Sequence, residues 1–133
     1  MCDTILLIED SQLDADLTIL ALGQCGITNP VVHIPDAEQA IEMLGASSSA
    51  PTSRDFGLIL LDVRMPKIDG FEVLKFIRSV PHLQDVPAVV MTEVPVEADR
   101  MRASLLGAAS YMAKAMGVSE YSQLLRITLT PFV

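Results

Sequence analysis

The chain has 133 residues, with 17 Asp and Glu against 9 Lys and Arg for a formal charge of −8, and no Trp. That length suits one domain with a buried core, and a sequence half apolar and one-fifth charged is not a disordered one. The charge is uneven, because residues 1–62 hold ten acids and one base (Arg54) while residues 63–133 hold seven acids and eight bases; with no basic run, nothing here suits a nucleic-acid backbone.

Ile5-Leu6-Leu7-Ile8 is the first apolar run. It shows no polar alternation, as expected of a strand covered on both faces of a parallel sheet. Ser11 is a good N-cap, and Leu13, Leu17, Leu20 and Ala21 recur at helical spacing until Gly23 and Gly26, with Pro30 beyond. Val31-Val32-His33-Ile34 reads as a weaker strand. Asp36 caps a second helix with Ala37, Ala40, Ile41 and Leu44 as its buried stripe and Gly45 as its stop. Residues 46–55 (ASSSAPTSRD) form a long Ser-rich surface loop. Leu58-Ile59-Leu60-Leu61 is the third strand, and Gly70 to Ser79 the third helix on Val73, Leu74 and Ile77, with Pro81 after it. Ala88-Val89-Val90-Met91 follows, then a helix over Val96 to Leu106, a short strand Ser110-Tyr111-Met112-Ala113 and a helix over Ser119 to Thr130.

Strand and helix alternate five times, which predicts an α/β doubly wound parallel sheet with right-handed crossovers. The two cysteines, Cys2 and Cys25, lack both disulfide-framework and metal-site spacing and are expected reduced. The N-terminus has no basic flank before its apolar run, and no stretch approaches the roughly 18 apolar residues of a membrane span. A cytoplasmic protein is the expectation.

The residues after each run carry the chemistry. Ile8 is followed by Glu9-Asp10, Leu61 by Asp62, Met91 by Thr92, and the fifth strand by Lys114. In a parallel sheet these strand ends share one edge, where ligands bind. Clustered carboxylates need positive neighbours; Lys114 offers one charge, and Mg²⁺, with its taste for carboxylates, a carbonyl and water, offers two. Asp62 can then serve as a nucleophile forming an aspartyl phosphate. Thr92 would donate to a phosphoryl oxygen and Lys114 balance the charge. Taken singly, each residue has a plainer reading as helix cap, turn residue or solvated charge. Joint placement after successive strands favours a site. Asp36 reads as a cap, and Asp3, Asp14, Asp16, Glu38, Glu42 and Asp55 as solvated surface.

The segments ILLIEDS (5–11), LILLDVRMPKIDGFEVL (58–74), AVVMTE (88–93) and SYMAKA (110–115) resemble the receiver domain of two-component response regulators over nearly the whole chain. The second is the most specific, with Asp62, Met65-Pro66 and Asp69-Gly70 at the family's spacing. The resemblance implies a flavodoxin-like receiver fold, strand order 2-1-3-4-5 with five flanking helices. It also implies Asp62 as phosphoacceptor, and Mg²⁺ held by Glu9, Asp10, Asp62 and the carbonyl of Arg64. Thr92 and Lys114 would contact the phosphoryl group, and Tyr111 would be the aromatic switch residue that turns inward with Thr92. Pro66 would stiffen the turn after Asp62, and Gly70 permit a tight bend. His33 and His82 lie outside the motif, with no catalytic part expected.

Two positions depart from the family pattern. Ala115 stands where the lysine is usually followed by a cis proline, and a non-proline cis bond costs about 2.5–4 kcal/mol, so a trans loop is expected. Glu93 stands where a small residue is usual. Arg64 occupies a position that in the resembled family tunes phosphoryl lifetime, and an Arg64–Glu93 pair across the mouth would reconcile the two.

The resemblance further implies a single receiver domain over residues 1–133 without an output domain, since the chain closes just past the fifth helix. The opening, the long loop and the missing proline are similar to the stand-alone regulators of phytochrome-type histidine kinases. The implied partners are a sensor histidine kinase and a protein, or a second copy, at the face of the fourth helix, fifth strand and fifth helix. Membrane and nucleic-acid partners are not expected. Such a protein is no enzyme beyond its own phosphorylation and autodephosphorylation. The rival reading is a phosphorylation-independent scaffold, favoured by Glu93 and Ala115. A phosphatase using Asp62 would need a second acid where Arg64 stands.

Overall fold

Strands this apolar must be covered on both faces, and helices on either side of one parallel sheet do so. The computed structural model describes residues 4–46, 56–65, 67–115 and 117–133. Cys2, Asp3, most of the Ser-rich segment with Asp55, and Pro66 fall outside the described residues. In chain order the elements are β1 (Thr4–Ile8), α1 (Gln12–Gln24), β2 (Val31–Ile34), α2 (Ala37–Ala46), β3 (Phe56–Asp62), α3 (Gly70–Ser79), β4 (Ala88–Thr92), α4 (Glu97–Leu105), β5 (Ser110–Ala113) and α5 (Val118–Leu129). Short 3-10 turns cover Pro81–Leu83 and Thr130–Phe132. The sheet runs β2-β1-β3-β4-β5, and every neighbouring pair is parallel. Strand order reverses between β1 and β3, which opens a crevice at their C-terminal ends.

Alternate side chains of the strands feed two cores. Leu6, Ile8, Ile59, Leu61 and Val90 pack with α2, α3 and α4. Ile5, Leu7, Leu58, Leu60, Val89 and Met91 pack with α1 and α5. The stripes of α2 and α3 lie where their spacing puts them, with Ala37, Ala40, Leu44, Val73, Leu74 and Ile77 buried. Ser11 caps α1, its hydroxyl accepting from the Asp14 N–H at 3.2 Å, and the Asp36 carboxylate accepts from the Glu38 N–H at 2.9 Å. α2 continues through Gly45 to Ala46 instead of stopping there.

α1 corrects the spacing argument. It turns Ala15, Thr18, Ala21 and Leu22 inward and leaves Leu13 and Leu20 77% and 54% exposed. The helix is apolar around most of its circumference, so periodicity alone does not choose a face. Thr18 can be buried because its hydroxyl meets the Tyr121 hydroxyl of α5 at 2.8 Å.

Candidate functional site

Strand register builds the floor of the site. β3 ends on Asp62, opposite Met91, and β4 ends on Thr92, opposite Ala113. Glu9 follows Ile8, whose partner is Leu61, and Lys114 follows Ala113. Together with Asp10, Ser11, Asp14, Arg64, Glu93 and Val94 they line a cleft of about 320 Å³. Glu9, Asp62 and Thr92 are buried. The Lys114 ammonium donates to Glu9 Oε1 and lies 3.2 Å from Asp14 Oδ2 and 3.5 Å from Asp62 Oδ2. Asp62 Oδ1 accepts the Arg64 N–H at 3.1 Å. The Glu9 carbonyl sits 2.7 Å from His33 Nε2, so His33 braces the strand end without entering the cleft.

Gly70 permits this packing. A Cβ there would fall 2.3 Å from the Asp62 carbonyl oxygen and 2.6 Å from the Val63 Cα. Asp69 caps α3, accepting the Glu72 N–H at 3.1 Å, and brings Gly70 against the end of β3.

Glu9, Asp10 and Asp62 each offer an oxygen, all within 4.8 Å of one another. Burial pushes the Glu9 carboxyl up to about 8, Asp62 beside it pushes the same way, and Lys114 offsets this only in part. Burial alone would lower Lys114, but its bond to Glu9 and the charges of Asp62, Glu9 and Asp14 outweigh that and raise it. Lys114 therefore stays charged, and the cluster still carries more negative charge than it neutralises. Hard oxygen donors with residual negative charge fit a divalent cation.

At the rim, Arg64 pairs with Asp99 of α4 at 2.5 Å. Glu93 is exposed, and a hydrogen bond to the Asp14 carboxyl and the charge beside it raise its proton affinity. Tyr111 is half-buried against the α2–α4 core, and its hydroxyl accepts the Val96 N–H at the start of α4 at 3.2 Å. The Thr92 hydroxyl makes a loose turn with Val94, 3.4 Å from both its N and its O.

A family model for the response regulator receiver domain matches residues 5–126. The chain belongs to that family. Response regulator Rcp1 of Synechocystis sp. is 33% identical over 116 residues, 87% of this chain and 79% of Rcp1. The solved structure of the phosphorylated cyanobacterial phytochrome response regulator RcpA superposes with a TM-score of 0.84 at 30% identity, covering 99% of this chain and 94% of RcpA. The Mn²⁺-bound form of Rcp1 superposes with a TM-score of 0.81 at 30% identity, over 96% and 92% of the two chains.

In this receiver Glu9, Asp10, Asp62, Thr92 and Lys114 do meet in one cleft, with Arg64 beside them. The expected Arg64–Glu93 pair does not form. Arg64 reaches across to α4, where Asp99 is presented by the first turn, while Glu93 turns toward α1. No cis peptide occurs among the described residues, so Lys114–Ala115 is trans. Asp14, which the sequence places on solvated surface, instead lines the cleft and faces Lys114. Its position carries the signal, since it lies in the first turn of α1 just after the Glu9-Asp10 strand end. Among the described residues no helix is long and apolar enough to cross a membrane.

Proposed function

We propose that this receiver accepts a phosphoryl group from a sensor histidine kinase on Asp62 and thereby switches a protein-binding face. The observation that carries the reading is the meeting of Glu9, Asp10, Asp62, Thr92 and Lys114 in one cleft. An Asp62 carboxylate oxygen attacks phosphorus in line as the P–N bond of a phosphohistidine breaks, its electron pair leaving with the imidazole nitrogen. Thr92 donates to a phosphoryl oxygen, and Lys114, which stays protonated, balances the added charge. Glu9, Asp10, Asp62 and the Arg64 carbonyl would hold Mg²⁺, which when bound supplies neutralisation of the carboxylate and phosphoryl charge.

Modification draws Thr92 out of its turn with Val94 and releases the Tyr111 hydroxyl from Val96. The face of α4, β5 and α5 then changes shape for a downstream protein or a second copy of the chain. Likeness to RcpA supports a kinase of the phytochrome type. In this reading the chain is a single receiver domain, acts in the cytoplasm, and catalyses nothing beyond its own phosphorylation and autodephosphorylation.

The test is intact mass after incubation with Mg²⁺ and a small phosphodonor. A phosphoryl adduct on the wild type and none on Asp62→Asn is expected. No adduct from a donor or from a panel of kinases would leave a phosphorylation-independent scaffold in its place.

A further inference from the structure

We propose that Asp14 is a positioning residue that holds the Lys114 ammonium beside Asp62, an inference that rests on the phosphoryl-transfer reading above. Lys114 carries its charge on a flexible four-carbon stem, and Ala115 after it gives the loop none of the stiffness of a proline. Side-chain contacts must therefore aim it. Three carboxylates face the ammonium: Glu9 in direct contact, Asp14 at 3.2 Å and Asp62 at 3.5 Å. Glu9 and Asp62 belong to the cation-binding cluster and Asp14 does not. A cation shared by Glu9 and Asp62 weakens their pull on Lys114 and repels the ammonium directly. Asp14 is the partner that remains.

Asp14 is itself braced. Its N–H donates to Ser11 Oγ at 3.2 Å and its carbonyl accepts the Thr18 hydroxyl at 2.9 Å. Thr18 in turn meets Tyr121 of α5 at 2.8 Å in the buried core. α1 is thus pinned to α5 one turn along from the Asp14–Lys114 pair. Only 6% of the Lys114 side chain and 26% of Asp14's is exposed, so solvent screens the pair less than it would a surface one. This is the support that orients a group at a reacting centre.

The test begins with Asp14→Asn and the phosphorylation rate followed by intact mass, with Mg²⁺ and acetyl phosphate. A rate about tenfold lower is expected, the lesser end of what removing an orienting partner costs. Asp14→Glu should recover most of it, and in a Lys114→Ala background Asp14→Asn should have no further effect. A second measurement needs neither donor nor cation. The Lys114 ammonium signal in ¹⁵N NMR, sharp in the wild type because the group is held and shielded, should broaden or vanish in Asp14→Asn while the backbone amide pattern persists. A wild-type rate in Asp14→Asn, an equal loss in the Lys114→Ala background, or an unchanged ammonium signal would each overturn the proposal. A wild type that takes no phosphoryl group would sink the transfer reading instead, and the NMR signal would still decide whether Asp14 holds Lys114.

Discussion

Glu9, Asp62, Thr92 and Lys114 at the floor of the cleft and Arg64 and Glu93 at its rim come from the same strand-end loops, yet they are held by different means. The floor residues end or directly follow paired strands, with β1, β3 and β4 flanked on both sides and β5 held by β4 at the sheet edge, and their side chains are almost wholly buried. The rim residues stand one or two positions further on. Their surroundings come from neighbouring helices, Arg64 pairing with Asp99 of α4 and Glu93 feeling the charge of Asp14 on α1. Backbone hydrogen bonding fixes the chemistry, and side-chain pairing sets its surroundings. Changes at the floor should therefore be costly and changes at the rim slight.

The largest effect is expected at Gly70. A methyl group there would overlap the Asp62 carbonyl and the Val63 Cα, both main-chain atoms that cannot rotate away. Gly70→Ala should destabilise the protein by about 3 kcal/mol, read from urea unfolding, as overpacking against an unyielding neighbour does. The displaced end of β3 should also slow modification of Asp62. An unchanged urea midpoint would mean that the floor is softer than the register implies.

A smaller effect follows from the charge buried in the floor. In the cation-free protein Glu9 binds its proton up to about pH 8, against an ordinary value of 4.5. Between those values the folded chain keeps a proton that the unfolded chain has released. The associated stability is fully present below about pH 4.5 and lost as pH rises through about 8. The melting temperature without divalent cations should fall over that window, and fall less in Glu9→Gln. Added Mg²⁺ should flatten the slope, since it takes the place of the proton. The same slope in Glu9→Gln would show that Glu9 is not its source.

The floor was legible in the sequence and the rim was not, for the same physical reason. An apolar run followed at once by a polar residue marks a strand end, and a parallel sheet brings all such ends to one edge. The sequence alone thus groups Glu9, Asp62, Thr92 and Lys114 across more than a hundred residues. Partners in the rim depend on how helices sit against the sheet, which spacing does not encode. Arg64 and Glu93 both flank the mouth, yet α4 presents Asp99 to Arg64. A first-turn acid such as Asp14 has an ordinary explanation as a helix-end charge, so its place in the sequence alone does not assign it to the cleft. The inward face of α1 is hidden for a similar reason, because Leu13 and Leu20 keep helical period with Leu17 and yet face water, while Leu17 packs at the edge of the core.

The Arg64–Asp99 pair offers the smallest effect and the sharpest contrast with the floor. Its guanidinium side is 60% exposed and its carboxylate side 18%, so water and salt screen the attraction and ordering the long Arg64 side chain offsets part of it. Asp99→Asn should cost under about 1 kcal/mol in urea unfolding. Because the pair's energy is largely screened, a double-mutant cycle with Arg64→Ala should return a coupling of only a few tenths of a kcal/mol at moderate salt, shrinking as salt is added. A coupling that is large and salt-independent would mean that α4 is clamped to the phosphoacceptor loop through a desolvated contact. The rim would then share the rigidity of the floor, and the distinction between backbone-fixed and side-chain-fixed parts of this cleft would fail at Arg64.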